Sequence, residues 1–262
     1  MYPILMKIGP ITIHGYGSFL ALGFFLCMLL ALRDNKKYNL NYNDQMLRNL
    51  FLWIVIASAI GARLFHVLIE KPSFYFDNPM AIIKVWDNGG VTFYGGFIAA
   101  IIGSYLYCRK HKWSMFLLSD YLIVYVPLGQ TFARIGCFLS GCCYGIPTNL
   151  PWGIAIHNPA SSTLPLHVSL HPTQLYQAFW NLLTFIIIYR NAFNKEKRTP
   201  GDNIILFGLI YPIGRIVIEF FRGDEVRGYV ISNLLTVGQF ISLIILICAG
   251  RLFFSKKSRP AH

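Results

Sequence analysis

Apolar residues run through this chain in seven long blocks, at residues 13–32, 49–69, 89–108, 115–139, 173–190, 204–221 and 233–254. Each is long enough for a helix to cross a hydrocarbon core about 30 Å thick. The pattern predicts an all-α integral membrane protein with seven transmembrane helices. No connection has the composition of an interdomain linker and no internal repeat is present, so residues 1–262 read as a single polytopic membrane domain. Only Lys7 precedes the first block, no A-x-A-type site follows it, and Arg33, Lys36 and Lys37 close it. It reads as a retained span, not a cleaved signal peptide.

The connections predict two further features on one side of the membrane. Between Glu70 and Gly90, the run Ile82-Ile83-Lys84-Val85-Trp86-Asp87 has the composition of a short amphipathic helix at headgroup level. From Ile135 to Tyr189 there is no Lys, Arg, Asp or Glu, although this stretch includes a connection of about 33 residues. Its Trp152, Leu164, Leu166, Val168 and Leu170 suit either a cover over a site, with lateral access for a lipid, or a loop resting on headgroups.

A mean hydropathy of +0.51 agrees with a membrane protein. The net charge of +12 could suggest a nucleic-acid partner, but its distribution excludes that reading. Fifteen basic residues follow the odd-numbered blocks, among them Arg33, Arg109, Arg190 and Arg251. Only Lys7, Lys71, Lys84, Arg222 and Arg227 fall on the opposite side. By the positive-inside rule the N-terminus is outside and the C-terminus cytoplasmic.

Arg63, Arg134 and Arg215 remain, each inside an apolar block. A guanidinium at the bilayer centre costs at least about 2.5–3.5 kcal/mol and does not shed its proton. Only Asp120 and Glu219 lie at comparable depth, so the surplus positive charge predicts an anionic guest such as a lipid phosphate. Tyr211, Arg215, Glu219 and Arg222 fall on one helical stripe. Two guanidinium forks there offer more donors than a single bridge requires. Arg134 is too far along a continuous helix from Asp120 to pair with it, about 21 Å over 14 residues. Cys137, Cys142 and Cys143 leave three states open: a disulfide from Cys137 to one of the others, free thiols, or metal ligation helped by His157, His167 or His171. The spacing C-x4-C-C matches no standard zinc pattern, so the cluster is expected to be structural, with no metal and no cofactor. The Tyr94-Gly95-Gly96 step permits either close helix packing or a broken helix near a ligand. His66 shares the second block with Arg63 and reads as a packing residue or a proton acceptor.

Taken together, these stretches resemble the bacterial prolipoprotein diacylglyceryl transferases. The matching runs are His14-Gly-Tyr16-Gly, Gly61-Ala-Arg63, Trp86-Asp-Asn-Gly-Gly90 with Tyr94-Gly-Gly96, Ser119-Asp120, Arg134-Ile-Gly136, His171-Pro-Thr-Gln-Leu-Tyr176, and Tyr211 through Arg222. They occur in family order across essentially the whole chain. The resemblance implies a multi-pass enzyme of the bacterial plasma (inner) membrane, acting as a monomer. Such an enzyme moves a diacylglyceryl group from phosphatidylglycerol to the lipobox cysteine of a preprolipoprotein, forming a thioether and releasing glycerol phosphate. Carried over by position, Arg134 and Arg215 would hold the headgroup with Arg63, Tyr211 and Arg222, while Tyr16, Tyr94 and Glu219 would join Arg215 at the catalytic centre. Two departures stand out: Tyr94 replaces the histidine of the family's His-Gly-Gly step, and Cys137, Ser140 and Cys142 replace asparagines and a glutamate. Competing readings are an enzyme of the same fold and donor with another acceptor, and a lipid or anion transporter, for which no repeat speaks.

Overall fold

The computed structural model describes residues 2–9, 11–83, 92–161, 166–193, 199–224, 228–231 and 234–257. A short hairpin, β1 (Ile4–Ile8) and β2 (Ile11–His14), leads into α1 (Gly15–Tyr38). Then follow α2 (Asp44–Phe65), α3 (Pro72–Asp77), α4 (Phe93–Lys110), α5 (Met115–Leu122), α6 (Val126–Ser140), α7 (Thr173–Ala192), α8 (Asp202–Glu219) and α9 (Val237–Lys257). Two small antiparallel pairs interrupt the helices: β3 (Ile154–Ala155) with β4 (Ser169–Leu170), and β5 (Tyr229–Ile231) with β6 (Leu235–Thr236). The chain divides into two compact units, one of Met1–Ala31 with Ser119–His262, the other of Leu32–Leu118.

Among the described residues, three helical stretches are long and apolar enough to cross a membrane: Gly15–Tyr38, Asp44–Glu70 and Val237–Lys256. A fourth is added if α5 and α6 count together, though they meet at a 52° bend. The block predicted as one span over 115–139 is therefore two helices. Pro127 lies in the first turn of α6, where its missing N–H costs nothing but where it cannot continue a preceding helix. The predicted spans at 89–108, 173–190 and 204–221 are also helical, as α4, α7 and α8. Arg109-Lys110 closes α4, while α7 and α8 carry polar side chains that turn inward. The amphipathic helix expected over 82–87 falls largely outside the described residues, as does Leu164 of the long loop.

In the first unit, small residues set the seam between α1 and α6. A β-carbon at Gly23 would stand 2.7 Å from Phe132 Cβ, and one at Gly136 would stand 3.1 Å from the backbone of Tyr16. Glycine at 136 thus lets α6 approach the first turn of α1. One face of α7 is polar and buried, with Gln174, Gln177, Asn181 and Thr184 at helical spacing. Trp180 on α7 lies over Gly214 of α8 and donates to the Ile210 carbonyl at 3.2 Å. Asp120 on α5 accepts from the amides of Asn203 and Ile204, at 3.0 and 3.1 Å, and so caps the N-terminus of α8. That contact gives the acidic residue inside an apolar block a partner in the first turn of a helix.

In the second unit, α2 and α4 pack nearly backbone to backbone. A β-carbon at Gly61 would meet Ala99 Cβ at 2.1 Å, and one at Gly95 would meet Phe65 Cβ at 2.2 Å. Gly96 approaches the Ser58 carbonyl. The paired glycines after Tyr94 therefore serve close packing, the first of the two readings the sequence allows.

Candidate active site

Helix α6 ends at Gly141, whose φ of 76° reverses the chain and brings the Cys142 amide back to the Cys137 carbonyl at 3.2 Å. The next segment pairs on both sides. Gly145 N donates to His171 O and Thr148 N to Ser169 O, while Ile146 N donates to Phe221 O and Gly223 N to Tyr144 O. This double pairing ties the chain leaving α6 to the chain leaving α8. Arg222 thereby lies beside the residues that follow Arg134.

On α8, Arg215 Nη1 stands 2.5 Å from Glu219 Oε2, one helical turn on. Arg222 Nη1 reaches the same oxygen at 3.4 Å. Its Nε and Nη2 form a fork on Asp224, at 2.8 and 2.5 Å. Glu219 is 1% exposed and is bridged by two guanidinium groups. Asp224 is the residue sequence reading missed. The Arg222-x-Asp224 spacing carries the signal, but Asp224 lies beyond the apolar block and so was not counted against the arginines.

Among the described residues of this cluster two arginines pair with two carboxylates, and a third cation, Arg134, lies beside them. It is half-buried, and among the described residues no carboxylate lies within 4.0 Å of its guanidinium. Its electrostatic neighbours are Cys137, Cys143, Tyr211 and Arg222, and Arg215 also feels its charge. Tyr211 stacks on Phe207 at 5.0 Å. Tyr16, in the first turn of α1 and 39% exposed, feels both Arg134 and the three thiols. The structure thus gathers Tyr16, Arg134, Tyr211, Arg215, Glu219 and Arg222 in one neighbourhood.

All six cysteines are free thiols, so the disulfide reading of Cys137 is not realised. Hydrogen bonds from the Cys137 and Cys142 thiols, aided by Arg134 and Arg222, hold the Cys143 thiol below its ordinary range. Buried Thr173 and Gln174 donate to the carbonyls of Cys143 and Cys142, each at 2.8 Å. The histidines considered as ligands are engaged elsewhere: His157 with His167 at 2.8 Å, and His171 with Tyr176 at 3.1 Å. An apolar groove of about 410 Å³ opens between α7 and α8, lined by Tyr176, Phe179, Trp180, Val217 and Phe221 among others.

Arg63 and Tyr94 belong to the second unit. Arg63 Nη2 and Nε donate to the carbonyls of Ala81 and Ile82, at 2.5 and 3.1 Å, at the end of the 3-10 turn Pro79–Ile82. The Tyr75 ring covers its guanidinium at 5.1 Å. Among the described residues its partners include two carbonyls and an aromatic face. Tyr94, in the first turn of α4, is 61% exposed. His66 Nδ1 is bound to Glu70 at 2.6 Å.

A guanidinium cluster within apolar helices is the feature that marks this membrane protein's site. Residues 3–255 match the family model described as prolipoprotein diacylglyceryl transferase. The chain is 37% identical over 248 residues to the phosphatidylglycerol–prolipoprotein diacylglyceryl transferase of Clostridium tetani, covering 94% of each. It is 35% identical over 253 residues to the enzyme of the same name from Rickettsia akari, covering 95% of each. With that from Pseudomonas syringae pv. syringae it shares 34% over 252 residues, 95% of this chain and 91% of the other. The chain belongs to the prolipoprotein diacylglyceryl transferase family.

Proposed function

We infer that this protein transfers the diacylglyceryl group of phosphatidylglycerol to the cysteine thiol of a prolipoprotein. The observation that carries the reading is Arg134, a half-buried guanidinium with no carboxylate beside it among the described residues, next to an internally balanced Arg–Glu–Arg–Asp network. A phosphate diester monoanion supplies the missing charge. During transfer the diester becomes a monoester and gains negative charge, which donors already fixed in a low-dielectric site stabilise without reorganising.

Arg134 and Arg215 hold the phosphate, and Glu219 with Arg222 fixes the direction of the Arg215 fork. Tyr16 and Tyr211 border the same space as hydrogen-bond donors. Arg63 stiffens the second unit through its carbonyl contacts, and the Tyr94 hydroxyl of that unit acts as a hydrogen-bonding group. The groove between α7 and α8 accepts acyl chain. The protein is read as a monomer of the bacterial inner membrane with seven spans, the N-terminus outside and the C-terminus cytoplasmic. The test is purified protein in phosphatidylglycerol vesicles with a lipobox peptide. The expected products are a peptide heavier by one diacylglyceryl group and an equivalent of glycerol phosphate. Consumption of neither substrate would reject the assignment.

A further inference from the structure

The reaction needs a thiolate, and two of the groups expected to make one are already held in ion pairs while the third is exposed. Glu219 Oε2 takes two guanidinium groups, His66 is bound to Glu70, and Tyr94 lies in the exposed first turn of α4. A second observation stands beside this one. The sulfur atoms of Cys137, Cys142 and Cys143 lie within 4.8 Å of one another, a closeness that the C-x4-C-C spacing does not suggest. The Gly141 reversal folds Cys142 back towards Cys137, and Cys143 itself adopts a left-handed φ of 59°, which a side chain makes costly. Thr173 and Gln174 then hold the carbonyls of both residues from beneath. Such support from buried hydrogen bonds is what keeps a ligand set in place.

We propose that Cys137, Cys142 and Cys143 bind one zinc ion whose fourth position takes the acceptor cysteine thiol. The proposal rests on the transferase reading above. Three protein ligands with one open position is the arrangement of catalytic zinc, and thiolates at about 2.3 Å from zinc stand about 3.8 Å apart. Small side-chain rotations reach that spacing from the observed one. Zinc deprotonates a coordinating thiol outright, so no side-chain base is required. The thiol proton passes to water. The sulfur lone pair then forms the S–C bond to the glyceryl carbon, the C–O bond breaks, and its electron pair leaves on the phosphate oxygen of glycerol phosphate. The released proton balances the extra negative charge of that monoester. Zinc with three thiolates has a net charge of −1, and Arg134 and Arg222 are the cations that act on the cluster.

The experiment uses full-length protein purified in detergent without chelators. About one zinc per chain is expected by elemental analysis. Replacement with cobalt should give thiolate-to-metal charge-transfer absorption and the visible bands of a tetrahedral centre. A lipobox peptide should intensify that absorption, and the same peptide with serine for cysteine should leave it unchanged. Cys137→Ser and Cys143→Ser should each weaken metal retention at least about tenfold. Absence of stoichiometric metal and of the charge-transfer band, or a disulfide within the trio by mass spectrometry of unreduced protein, would overturn the site. Metal binding without response to the peptide thiol would overturn its role towards the acceptor. None of these readouts requires turnover. Protein that binds cobalt and the peptide thiol but does not consume phosphatidylglycerol refutes the donor assignment and leaves the metal site standing.

Discussion

The guanidinium of Arg215 rests against the bare backbone of Gly238: a β-carbon there would stand 2.9 Å from Nη2 and 3.5 Å from Cζ. Gly238 lies in the first turn of α9, so it sets the position of Arg215 from behind. Gly238→Ala should fold normally, because the atoms in the way are the end of a flexible side chain and alanine favours helix. The displaced fork should lower turnover about 10²-fold, the scale of a misplacement near 1 Å. Unchanged kcat at unchanged thermal stability would show that the contact has no bearing on the phosphate.

Arg134→Ala and Arg215→Ala should each reduce transfer by about 10²–10³, or about 2.7–4 kcal/mol, with the protein still inserted and folded. Lysine at either position should restore activity only in part, since an ammonium cannot form the bidentate fork. Kinetics in mixed micelles decide this, and near-normal turnover by either alanine variant would remove the phosphate clamp.

Tyr94→Phe should lower the rate about tenfold or less, the effect of one lost hydrogen bond of about 1 kcal/mol. The check is a pH–rate profile at saturating donor. A fall of several orders of magnitude, with loss of the alkaline limb of that profile, would make Tyr94 the base.

Asp120→Ala should cost about 1–2 kcal/mol of stability, because two amides in the first turn of α8 lose their acceptor. Asp120→Asn keeps an acceptor oxygen and should lose less. Thermal unfolding in detergent measures both, and equal stability of all three proteins would contradict the cap.

The apolar blocks foretold where the helices lie, because hydrophobic length is written directly into composition. They did not foretell the bend in 115–139: every residue at 121–128 is apolar or aromatic, and only Pro127 marks the break. The Arg215–Glu219 pair was visible from helical spacing, whereas the Arg222–Asp224 fork forms beyond the helix end, where no periodicity applies. Arg63 was recognised as needing a partner, but its carbonyl partners are 18 and 19 residues away and have no side-chain signature. The cysteine trio was legible as three residues and illegible as a cluster, since left-handed backbone at Gly141 and Cys143 brings it together.

The segment Tyr144–Thr148 is bound along both edges, to Ser169–His171 on one side and to Phe221–Gly223 on the other. A segment fastened in this way cannot swing away without breaking several backbone hydrogen bonds at once. On the proposed reading, donor lipid reaches the site from the lipid phase, with its acyl chain in the groove between α7 and α8. Encounter is then two-dimensional, so turnover should follow the mole fraction of donor within the surface. Diluting vesicles at fixed composition should leave the rate per protein unchanged, while diluting the donor with inert lipid should lower it.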